Sequence, residues 1–143
     1  MSTFNMSDYL EAQIYNHMFR SATFTKPPFL AFALCSGVPN DANTGSNVPE
    51  LAGATPNYKR VVYIQADSGW QVPVAEAATA NTQPIQWPVA GAGWGTISGI
   101  AICDSIGTGS GNMLFWASLT TPRLVLTGDQ FQFASGNLTA LFD

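Results

Sequence analysis

The residues of this chain that could do chemistry are few and scattered. His17 is the only histidine, two cysteines stand at positions 35 and 103, and nine Asp and Glu are spread over 143 residues. Nucleophilic catalysis through histidine needs a matched nucleophile and an orienting acid, and spacing gives His17 neither. A zinc centre needs several His, Cys or carboxylate ligands, which one histidine and two distant thiols do not supply. Asp41, Asn43 and Glu50 share a loop, as calcium ligands would, but lack the dense, regular spacing of a dedicated binding loop. Glycoside hydrolysis needs two acids facing each other across a cleft, whereas Asp41, Asp104 and Asp129 sit where turn chemistry already accounts for them. The sequence therefore offers no catalytic residue, no metal ligand set and no cofactor site, and the expectation is a protein that is not an enzyme.

Two glycine-rich stretches, 91–95 and 107–111, invite a phosphate-loop reading. Such loops need a helix directly after the glycines, so that its N-terminus faces the phosphate. Both stretches instead run into strand-like sequence and read as tight turns requiring positive φ. Four tryptophans could form a sugar-binding face, with Trp70 and Trp87 as candidates. Trp94, Phe115, Phe131 and Phe133 are expected to fill the space between two sheets, where each ring buries roughly 150–250 Å².

The elements that would position these residues are mostly strands. One helix is expected over 7–20: Ser7 and Asp8 are good caps, and Leu10, Ile14 and Met18 recur on one face with Tyr15 and Phe19 beside it. Pro27 and Pro28 close that region. Strands are expected at 29–35, 58–66, 85–87, 96–103, 113–119, 124–126, 131–133 and 138–142, with 36–55 as a long loop and 74–83 as a loop or weak strand. Short strands at this spacing, with turns between them, predict a mainly β fold: an antiparallel, jelly-roll-like β-sandwich with one N-terminal helix, in a single domain over 1–143.

Composition narrows the class further. Only 10% of residues are charged, against about 25% in an average soluble domain, so much of the surface is expected to be covered by partners. The five basic residues are dispersed, and strand alternation places Lys59 and Arg60 on opposite faces, so no nucleic-acid partner is expected. No apolar run approaches the roughly 20 residues of a membrane-spanning helix. The N-terminus has no signal-peptide pattern, so synthesis in a cytoplasm is the expectation.

A series of short motifs then runs along the chain in order. Asp8-Tyr9-Leu10-Glu11 leads to His17-x-Phe19, followed by 28–34, Tyr58-Lys59-Arg60-Val61, the stretch from Asn81 to Ala90, and Trp94-Gly95-Thr96-Ile97. Ile102-Cys103-Asp104, Gly111-Asn112-Met113-Leu114, Gly128-Asp129-x-Phe131-x-Phe133 and Gly136-x-Leu138 complete it. Together these resemble a family of small tailed-bacteriophage virion proteins, described as capsid cement (decoration) or tail-fibre proteins. The resemblance implies a structural protein of the virion, made in the cytoplasm of a host bacterium. The favoured expectation is a cement protein on the capsid exterior, a homotrimer bound to the major capsid protein. The alternative is a tail-fibre or receptor-binding component that recognises host surface sugar. Interface candidates are Tyr15, His17 and Phe19 on the helix and Asp41, Asn43 and Asn47 in the long loop.

Overall fold

A computed structural model of the chain describes residues 2–63, 65–73 and 78–140, which hold nine strands and one helix. In chain order these are β1 (Ser2–Met6), α1 (Asp8–Phe19), β2 (Leu30–Cys35), β3 (Val61–Tyr63), β4 (Thr79–Ala80), β5 (Ile85–Val89), β6 (Gly95–Cys103), β7 (Met113–Val125), β8 (Gln130–Phe133) and β9 (Leu138–Ala140). The expected β-sandwich takes an unequal form. A seven-stranded sheet ordered β3-β2-β6-β7-β1-β9-β4 is covered on one face by the two-stranded sheet β5-β8.

Side-chain alternation explains this layering. In β5 and β8, Ile85, Trp87, Phe131 and Phe133 point into the core, while Gln86 and Gln132 point outward and share a 2.7 Å hydrogen bond. Trp87 meets Phe131 and Phe133 edge-on at 5.7 and 6.0 Å. Strand β2, next to the edge strand β3, is apolar at every position because both of its faces are covered. Phe32 and Leu34 enter the core beneath the small sheet; Ala33 and Cys35 pack with Val48, Ala101, Cys103 and Met113 beneath the long loop. Trp94 is buried as expected, with its Nε1 donating to the Pro56 carbonyl at 2.9 Å and its ring edge-on to Tyr58 at 5.6 Å.

Several elements differ from the sequence expectation. β1 precedes the helix and was not anticipated, because Phe4 is its only core residue among polar neighbours. It lies between β7, to which it is antiparallel, and β9, to which it is parallel, so the sheet is not wholly antiparallel. The expected strand at 124–126 is instead the end of β7. There the ladder breaks between Gly99↔Ser118 and Ile97↔Arg123, and Pro122, which has no N–H to donate, sits in the break. The expected strand at 58–66 shortens to β3, the weak strand appears only as β4, and 74–77, 64 and 141–143 lie outside the described residues. On α1 only Leu10 of the apolar face is buried.

Ser7 makes the turn from β1 into α1. Its N–H donates to Leu114 O at 3.0 Å, its hydroxyl donates to Met113 O at 2.5 Å, and Leu10 N–H caps back onto that hydroxyl at 3.2 Å.

The loops are held by a buried ion pair. The Arg60 guanidinium bonds Glu50 in bidentate fashion (Nε–Oε1 2.9 Å, Nη2–Oε2 2.7 Å), and both side chains are almost wholly buried. Its remaining N–H groups reach the carbonyls of Gly45, Ser105 and Ser110 at 2.7–2.9 Å, so all five guanidinium donors are used. Glu50 also accepts from Tyr58 Oη (2.8 Å) and Gly109 N (3.1 Å), and Tyr58 Oη in turn accepts Leu34 N–H at 3.0 Å. Burial works most strongly on the Arg60 pKa and lowers it, but the hydrogen bonds to Glu50 and the electrostatic influence of Cys103, Glu50 and Tyr58 together outweigh it, and the net shift is upward. Gly45 approaches so closely that a Cβ there would collide with the Ser110 and Gly111 carbonyls.

Cys35 and Cys103 are free thiols. They align with Gly99 and Ala31 in the β2–β6 ladder, four residues apart and thus about 13 Å along the strand, too far for a disulfide. Burial pushes both thiols upward, Cys103 to about 11, and burial with the Glu50 charge does the same to the Tyr58 hydroxyl.

Removing one partner of the ion pair strands a buried charge, so Glu50→Ala is expected to lower stability by about 3–5 kcal/mol in urea titrations. Arg60→Lys should also destabilise the protein, because an ammonium cannot make the same bidentate pair with Glu50. Trp94→Ala should cost about 3–5 kcal/mol, read the same way. Because the raised thiol and phenol groups stay protonated in the folded state, their stabilisation is complete below the ordinary values of 9.0 and 10.0 and is lost as pH rises past them. Chemical denaturation between about pH 9 and 11 should show that decline, up to about 1.4 kcal/mol per pH unit for each group.

Candidate functional site

The six interface candidates fall into two separate groups. On the C-terminal half of α1, Tyr15 is 63% and Phe19 is 80% exposed, and their rings stack at 6.3 Å; Met18 beside them is 68% exposed. His17 is also exposed, and its Nδ1 accepts the Phe24 N–H at 3.2 Å, so it braces the chain that leaves the helix. The apolar face read from the sequence is real, but the helix overhangs the sheet and only its first turn is covered.

The loop candidates have mainly internal work. Asp41 accepts the Trp116 indole N–H at 2.7 Å. Asn47 Oδ1 accepts from Thr44 N (2.7 Å) and Asn43 Nδ2 (3.3 Å), while Asn43 Oδ1 accepts from Asn40 N at 2.9 Å. The backbone bond from Asp8 N to Asp41 O (3.0 Å) places this loop at the start of α1. Tyr15 lies seven residues further on, about 10 Å along the axis. The six residues therefore do not form one patch.

Two concave surfaces meet at Lys26, Leu30 and Gln65. One is a groove of about 520 Å³ between α1 and the sheet, walled by Met6, Leu10, Ile14, Phe24, Leu114 and Phe115 and almost wholly apolar. The sequence could not reveal it, because its walls come from segments far apart in the chain. The other is a cleft of about 560 Å³ at Trp70, with Gln65, Asp67, Gln71, Thr79 and Lys26 around it. Trp70 lies edge-on to Tyr63 at 5.5 Å and near-parallel to Phe32 at 6.5 Å. Trp87, the other aromatic proposed from sequence for a sugar face, is 1% exposed and belongs to the core.

The acids shape loops. Asp104 accepts from Asn112 N and Nδ2 at 2.7 and 2.8 Å, Asp129 accepts Leu126 N–H at 2.8 Å, and Glu50 pairs with Arg60 while Asp41 accepts from Trp116. Among the described residues, no group of three or more His, Cys, Asp and Glu converges as a metal site would require. The glycine stretches form turns, with Gly95, Gly109 and Gly111 all at positive φ, and neither opens a helix.

A comparison with curated proteins finds no match. A family model described as Podophage GP4 fiber I protein gp80 matches residues 5–140, which runs from the end of β1 through β9 and includes the ion pair, both concave surfaces and the exposed helix. The chain thus belongs to the podophage GP4 fiber I protein gp80 family, a family of phage virion structural proteins.

Proposed function

We propose that this chain is a building block of a fibre on a tailed-phage virion and works by binding, not by catalysis. The observation that carries this reading is the match to a fibre family over nearly the whole chain. The sequence alone favoured a cement protein on the capsid exterior, with the major capsid protein as partner. That preference rested on scarce charge and on the resemblance; a fibre subunit buried among its neighbours accounts for the scarce charge equally well, and the family match favours the fibre.

Self-association is part of the proposal. The overhanging end of α1 presents Tyr15, Met18 and Phe19 to solvent, an exposed apolar cluster of the kind that marks interaction sites. A homotrimer joined through this surface is the expected state.

Gold-labelled antibody on intact virions should mark the fibres; label spread over the shell would overturn the reading in favour of cement. In solution the oligomer should persist in 1 M salt, where the Debye length is about 3 Å and charge pairs are screened. Phe19→Glu should dissociate it by light scattering while leaving the melting temperature nearly unchanged, since an 80%-exposed ring contributes little to the core.

A further inference from the structure

We infer that the Trp70 cleft is a saccharide-binding site, which on the fibre reading would engage a polysaccharide of the host surface. A sugar ring has an apolar C–H face and a rim of hydroxyls that both donate and accept. The cleft offers the complement. Trp70 supplies the aromatic surface, Gln65 and Gln71 supply amides that donate and accept, Asp67 accepts and Lys26 donates. Its volume of about 560 Å³ lies in the range of small-molecule sites.

The wall that carries Trp70 is preformed. Gly69 O accepts from Tyr63 Oη and Thr82 N, both at 2.9 Å, and the Thr82 hydroxyl donates to Ser68 O. Trp70 itself bridges to Asn81, a fully buried residue whose amide bonds Gln83 O and Ala134 O at 2.7 and 3.0 Å. A wall fixed in this way loses little conformational freedom on binding.

Other ligand chemistries fit less well. A nucleic acid or an anionic lipid surface selects clustered Lys and Arg, whereas Lys26 here is balanced by Asp67. The neighbouring groove along α1 lacks the polar rim that a sugar needs.

The test uses the full-length protein on an array of bacterial surface oligosaccharides, followed by calorimetric titration of the strongest-binding oligosaccharide. Trp70→Ala should weaken binding about tenfold or more, the scale of one lost ring contact. Because Trp70 also touches Tyr63 and Phe32, Gln71→Ala and Asp67→Ala serve as variants at exposed positions. Each should weaken binding several-fold with an unchanged melting temperature. Failure of every oligosaccharide to bind, or binding unaffected by all three substitutions, overturns the inference. Gold labelling tests the fibre reading separately: fibre-borne protein that binds no glycan sinks only the cleft, and shell-borne protein sinks the fibre reading whatever the cleft binds.

Discussion

A guanidinium can sit inside a charge-poor protein only if every one of its donors is answered, and the packing of the loops follows from that constraint. Arg60 gathers Glu50, Gly45, Ser105 and Ser110 around itself, and Glu50 adds Tyr58 and Gly109. Residues from two connections, β2 to β3 and β6 to β7, and the backbone of β2 at Leu34 are thereby fixed by one charge pair. Glycine at 45 is part of the same demand, since only a bare Cα allows the loops to close this tightly. Replacing such a pair by apolar side chains need not weaken a protein. What the pair adds here is direction: it lets a loop of some twenty residues adopt a single path.

Much of this fold was legible in the sequence because its strands obey period two or are apolar throughout. The core role of Trp94, Phe131 and Phe133 followed from that pattern, as did the doubly covered strand at Phe32 and Leu34. β1 was not legible, since Ser2–Met6 carries one core side chain and is held by pairing with two strands from the far end of the chain. The Glu50–Arg60 pair was equally hidden. A lone Arg after a Lys in a strand-like stretch looks like solvated charge, and only tertiary packing turns it inward. For the candidate sites, exposed aromatics on the helix were readable as a periodic stripe, but which tryptophan is accessible was not. Trp70 and Trp87 look alike in sequence, and the difference is tertiary: Trp87 sits on the inner face of the small sheet against Phe131 and Phe133, while Trp70 stays half-buried beside the cleft.

Scarcity of charge also divides the surface into regions of different character. The loop side is stitched by amides and carboxylates bonded to backbone, the helix end is aromatic and unscreened by salt, and the Trp70 cleft mixes one ring with polar groups of both signs. On the proposed fibre reading, self-contact and saccharide contact would fall on chemically distinct surfaces.

The outer strands of the large sheet have a consequence of their own. β3 and β4, at its two edges, are three and two residues long. Open strand edges invite pairing with other chains, and proteins commonly guard them with lysines or other charges. This chain has few charges to spend that way, and the brevity of its edges does the same job. Among the described residues, a neighbouring molecule finds little ladder to extend at the edges of the large sheet, which keeps those edges from fusing with another chain into a continuous sheet.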